Sequence, residues 1–133
     1  MDHRDVVRLL SVARAAVGVL WLVARHKVIN AWTGEDAASV SARVVGRGFG
    51  GRDLALAVGT LLTREDGRAL AMWLKAGALS DAADAVSTLA TFRKLGSARG
   101  LFWTATAAAT TALGLRLAGA VAHGTDTGCP EGA

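Results

Sequence analysis

Two aspartates three residues apart, Asp81 and Asp84, interrupt an apolar stretch, and an adjacent pair, Arg52 and Asp53, interrupts another. Neighbouring carboxylates can share a proton, which suits proton transfer. A guanidinium can bridge carboxylates bidentately, so Arg52 is the expected partner of both Asp81 and Asp84. At about 100° per residue, Gly77, Asp81, Asp84, Thr88 and Thr91 fall on one side of a helix. Such a polar stripe lines a water-filled crevice or faces a neighbouring helix. Lys75 points about 180° away from Asp84 and is not its partner on that helix. Further single cations, Arg14 and Arg116, lie in two other apolar stretches. Two readings follow: a buried ion-pair network that fixes packing, or a site that handles protons or ions.

Other chemistry finds less support. Gly46, Gly48 and Gly51 formally match G-x-G-x-x-G, yet no strand precedes them and no βαβ unit follows, as a dinucleotide site requires. The segment R-G-F-G-G-R echoes RNA-binding RGG segments but occurs once and runs straight into an apolar helix. Gly46, Gly48, Gly50 and Gly51 are therefore read as packing glycines, as are the small residues Ala107, Thr111, Gly114 and Ala118 at helical spacing. Thr hydroxyls there can bond the i−4 carbonyl and need not signal a pore. His3, His26 and His123 lie far apart, and a lone cysteine, Cys129, sits near the C-terminus, so no metal site and no disulfide framework are expected. No Ser-His-Asp, P-loop or H-E-x-x-H pattern is present, and no cofactor is expected. D-x-x-D at Asp81 and Asp84 lacks the remainder of the lipid-phosphotransferase pattern.

These residues must be positioned by helices. The chain has 133 residues, 52% hydrophobic and 20% charged, with a net charge of +4 and one proline; its mean hydropathy is +0.36. This composition excludes intrinsic disorder and favours one domain. Arginine dominates over lysine and alanine abounds, a bias of GC-rich bacterial genomes. Four apolar stretches, residues 6–28, 44–62, 69–92 and 101–122, are rich in Ala and Leu without period-2 alternation, which predicts four helices. Thr33 followed by Asp36 suggests a helix start, so a short extra helix is expected over residues 35–45. Residues 124–133 read as a loose polar tail after a single helical domain over residues 1–123.

About 20 helical residues cross a hydrocarbon core about 30 Å thick, so the expected fold is an all-α, four-helix transmembrane bundle. Against it stand the charges of the third stretch, each costing about 2.5–3.5 kcal/mol at mid-membrane. That helix needs partners to satisfy Asp81 and Asp84. A soluble bundle fits less well, because residues 100–124 carry one charge, Arg116, where a surface helix in water needs a charged face. Trp32, Trp73 and Trp103 fall near proposed helix ends, as interfacial indoles do; Trp21 lies deeper. Arg14 breaks the N-terminal stretch and no small-x-small cleavage site follows, so it is expected to stay as the first helix rather than act as a signal peptide. Connections one and three carry Arg25, Lys27, Arg43, Arg93, Lys94 and Arg99, against Arg4, Arg8, Arg64 and Arg68 at the N-terminus and connection two. The positive-inside rule therefore leans to both termini outside.

Three segments resemble a group of small, uncharacterised actinobacterial membrane proteins: W-T-G-E-D-A-A (residues 32–38), R-V-V-G-R-G-F-G-G-R-D-L-A-L-A-V-G (residues 43–59) and W-L-K-A-G-A-L-S-D-A-A-D-A (residues 73–85). The resemblance covers roughly residues 6–95 and rests on G-x-R-D and G-A-x-x-D-x-x-D. It implies about four membrane helices and brings no activity, substrate or cofactor. The sequence departs from that pattern in lacking a proline near the end of the first helix, where it reads R-H-K-V-I-N.

The leading expectation is a multi-pass protein of the bacterial cell membrane with a non-enzymatic scaffold, accessory or helix-association role. Its partners would be the lipid bilayer and either a second copy or a larger membrane complex. The alternatives are a proton- or ion-coupled transport component using Asp53, Asp81 and Asp84, and a soluble basic helical protein that binds nucleic acid. The last is disfavoured by sparse lysine and the lack of a basic stripe, so no nucleic-acid partner is expected.

Overall fold

A computed structural model describes residues 3–34 and 39–126, and all regular structure among them is helical. There are six helices: α1 (His3–Val23), α2 (Arg25–Thr33), α3 (Val40–Leu62), α4 (Gly67–Ala90), α5 (Phe92–Leu95) and α6 (Ser97–Asp126). Four are long and two are short connectors.

The ends of these helices have local causes. Ala24 leaves helical geometry at φ −121° and ψ 29°, which separates α1 from α2. Gly34 takes the left-handed conformation at φ 79°, and its N–H donates to the Asn30 carbonyl, closing α2. Ser39 caps α3 by accepting from the Ala42 N–H at 3.1 Å, and Asp66 caps α4 by accepting from the Ala69 N–H at 3.0 Å. Gly96, at φ 80°, turns the chain from α5 into α6.

Several expected boundaries move. The first stretch is two helices rather than one over residues 6–28. The short helix of the first connection is α2, ahead of the expected residues 35–45, and residues 40–45 are the opening turns of α3. Thr33 does not begin a helix: it ends α2, and its hydroxyl donates to the Ile29 carbonyl. Asp36 and the rest of residues 35–38 lie outside the described residues. The last helix extends from 97 to 126, beyond the expected 101–122, so the first positions of the expected tail are helical; residues 127–133 lie outside the described residues.

The long helices form two antiparallel pairs. In the first, α1 crosses α3 where Gly18 meets Gly50: a Cβ on Gly50 would stand 2.8 Å from the Gly18 carbonyl oxygen. The missing side chains allow backbone to touch backbone there. In the second, α4 packs on α6 through Ala78, Leu74 and Gly114. A compact apolar cluster of Val7, Leu70, Ala71, Leu74, Leu117 and Ala118 ties α1 to α4 and α6 at one end of the bundle. At the other end, where α2 and α5 lie, Trp21, Trp32, Phe49 and Trp103 form an aromatic group with successive ring centroids 5.3–6.5 Å apart. Trp21, which lies deeper in its apolar stretch than the other indoles, stacks on Phe49 in this group.

Candidate functional site

Charged side chains from three helices meet between the two pairs. The antiparallel packing of α1 on α3 brings Arg14 level with Asp53, and its side chain crosses α4 beside Gly77. Nη2 lies 3.5 Å from where a Cβ on Gly77 would stand, an ordinary packing distance. It reaches Asp81 one turn further on and binds it bidentately, Nη1 donating to Oδ1 at 2.9 Å and Nη2 to Oδ2 at 2.6 Å. Nη1 also stands 3.6 Å from Asp53 Oδ1. Arg52 binds Asp84 in the same fashion, at 3.0 and 2.9 Å, and donates to Asp53 Oδ1 from Nε at 3.2 Å and from Nη2 at 3.0 Å. Its guanidinium carbon lies 4.7 Å from the centroid of the Phe49 ring.

The partnership differs from that expected of the sequence. Arg52 does not bridge Asp81 and Asp84; it bridges Asp53 and Asp84, while Asp81 goes to Arg14. The sequence held one hint of this, a glycine one turn before Asp81, beside which a long side chain from outside α4 passes. Spacing within α4 could not reveal which helix supplied it.

Other expected site residues divide cleanly. Thr88 is buried on the same side of α4 as Asp81 and Asp84. Thr91 stands apart at the end of α4, its hydroxyl donating to the Ser87 and Thr88 carbonyls. Lys75 and Arg116 are exposed and do not join the cluster, because each falls on the outward face of its helix. Among the expected packing residues, Gly46 lies against Trp21, Gly50 against Gly18, Gly114 against Ala78, and Ala118 is buried. Ala107 and Thr111 are half-buried. Gly48 and Gly51 pack against nothing within 4 Å, since they face outward from α3. Three packing glycines had not stood out in the sequence, one of them Gly100, against which the Phe92 ring lies. Gly18 stands alone in α1, and Gly59 receives the Trp73 ring where its side chain would be.

The cluster forms part of the wall of a cavity of about 510 Å³ between the helix pairs. Arg14, Arg52, Asp53, Asp81 and Asp84 line it, together with Trp21, Trp32, Phe49, Trp103, Thr88 and Thr110. Lys27 joins from α2 and is exposed. Trp103 is fixed by donating from Nε1 to the Ala31 carbonyl at 3.2 Å. On the far side of Arg14 the interior closes to a void of about 10 Å³ lined by Ser11, Thr60 and Gly77. The Ser11 and Thr60 hydroxyls donate to carbonyls four residues back. No group of three or more potential ligands is arranged to hold a metal ion among the described residues. No protein-family model, curated protein or solved structure matches the chain.

Proposed function

We propose that the chain is a small multi-pass integral membrane protein with a non-enzymatic binding and helix-association role, in which α1, α3, α4 and α6 cross the bilayer. One observation carries this reading: five charged side chains from the middle of three long helices face inward, while large apolar ones face outward. Arg14, Asp53 and Asp81 are enclosed, while Leu9, Val44, Leu62, Leu79, Val86, Leu101 and Leu115 are exposed around the outside. Water penalises that distribution and a hydrocarbon surround favours it.

Length and composition support the same reading. α1 and residues 98–123 of α6 are long and apolar enough to cross a membrane, and only 22% and 17% of their most apolar windows are buried. The core helix of a soluble protein would be mostly buried. α3 and α4 owe much of their polarity to Arg52, Asp53, Asp81 and Asp84, which satisfy one another across the interior. Lys75 and Arg116 have stems long enough to carry their charges toward the headgroups. Arg25, Lys27, Arg43, Arg93, Lys94 and Arg99 belong to the end bearing α2 and α5, so that end is assigned to the cytoplasm and the termini to the opposite side. Gly48 and Gly51 leave the α3 backbone uncovered, which suits association with another helix. The resemblance to small actinobacterial membrane proteins is in keeping with this assignment.

A second reading, a proton- or ion-coupled transport component, is favoured by the cavity beside the cluster. Two guanidiniums there face three carboxylates. An Asp84→Asn variant that elutes like the native chain but loses a pH-dependent flux supports it, and unchanged flux removes it.

The membrane assignment is tested by washing membranes from expressing cells with high-pH carbonate and then extracting with mild detergent. Retention until detergent is added is the expected result. Release into the wash overturns the assignment and returns the chain to the soluble alternatives, where salt-dependent nucleic-acid binding becomes the next assay.

A further inference from the structure

We infer that the cavity between the helix pairs binds an amphipathic organic cation, a bulky apolar body carrying one positive charge; this rests on the membrane assignment above. Two independent features point to such a ligand. The first is a surplus of one carboxylate, three aspartates to two arginines. Arg14 is committed bidentately to Asp81 and Arg52 bidentately to Asp84, so Asp53 shares both, through two further bonds from Arg52 and a 3.6 Å approach of Arg14. Asp53 is enclosed, with its side chain 7% exposed, and lines the cavity. The bonds it accepts from Arg52 fall on Oδ1, and Arg14 approaches the same oxygen, which leaves Oδ2 for a ligand. A surplus negative charge away from water is costly until a positive charge meets it.

The second feature is the wall. Trp21, Trp32 and Trp103 line one end of the cavity with indole rings, the aromatic groups that attract a cation best. Its volume of about 510 Å³ falls within the roughly 300–1,000 Å³ typical of small-molecule sites. A small inorganic ion would leave most of that apolar space empty, and an acyl chain would leave the cluster's third carboxylate unbalanced. Lys27, the one cation on the wall outside the cluster, is exposed on α2 and can turn its ammonium away.

The test compares two ions of nearly equal shape and opposite charge, tetraphenylphosphonium and tetraphenylborate. Each is dialysed to equilibrium against the full chain in mild detergent, with partition into protein-free micelles subtracted. The expected result is saturable binding of one phosphonium per chain, with borate at least about 100-fold weaker. Asp53→Asn should abolish that preference, and Trp32→Ala should weaken phosphonium binding about ten-fold. Equal binding of the two ions overturns the inference, as does an Asp53→Asn chain that elutes normally and keeps the full preference. If Asp53→Asn does not fold, the native comparison and Trp32→Ala decide. A co-purifying phospholipid that neither ion displaces overturns it in favour of a lipid occupant. A chain released by carbonate fails the membrane assignment; a retained chain without cation selectivity fails this inference alone.

Discussion

Arg14 and Asp81 meet with their side chains only 13% and 10% exposed, whereas Arg52 and Asp84 meet at 30% and 22%. Removing one partner of an enclosed pair leaves the other charge stranded, at a cost of about 3–5 kcal/mol. Asp81→Asn is therefore expected to lower the unfolding midpoint in detergent more than Asp84→Asn, whose partner Arg52 is more exposed and keeps two hydrogen bonds to Asp53, where Arg14 keeps only a 3.6 Å approach. The double replacement Arg14→Met with Asp81→Leu should recover much of the Asp81→Asn loss, since neither member of that pair is left without the other. Glycines give a second contrast. Gly50→Ala drives a Cβ into the Gly18 carbonyl, while Gly48→Ala and Gly51→Ala meet open space and gain about 0.8–1.0 kcal/mol of helix propensity. Thermal scans should thus move in opposite directions for the two classes. The cluster's members Arg52, Asp53, Asp81 and Asp84 were legible in the sequence as charges out of place in apolar stretches. The pairing was not, because it depends on how α1 is rotated against α4, which no spacing within one helix encodes.

At the scale of elements, long apolar runs announced the long helices, and their interiors fell where composition put them. Their ends were harder to read. Thr33 and Asp36 imitate a helix start, yet Gly34 in the left-handed conformation makes that region an ending, and the true cap is Ser39. A glycine's sign of φ is invisible in a sequence, so the same letters serve both interpretations. The Asp66 cap is a simpler case, an acid just ahead of α4 with its carboxylate on the Ala69 N–H. Asp66→Ala should cost about 1 kcal/mol, concentrated at the start of α4. Hydrogen exchange in detergent is expected to quicken at residues 68–70 and to stay unchanged in α6.

On the scale of the whole molecule, α1 with α3 and α4 with α6 pack closely, while charges bridge the seam between the pairs above the apolar cluster of Val7, Leu70 and Leu117. The all-helical character was legible in the sequence; the grouping into pairs was not, since it follows from close approaches such as Gly18 on Gly50 that composition alone does not rank. The distribution of charge over that seam bears on how the chain is made. A ribosome releases α1 and α3 before α4, so a half-made molecule holds two arginines and a single aspartate to share between them. Asp53, lying within reach of both, serves as an interim counter-ion until Asp81 and Asp84 arrive. Within the cluster each half alone is unbalanced, Arg14 and Arg52 outnumbering Asp53 in the first and Asp81 and Asp84 without a cation in the second. Residues 1–64 and 65–133, produced as separate fragments, should each be degraded when expressed alone and should accumulate together when co-expressed, as measured by pulse-chase labelling.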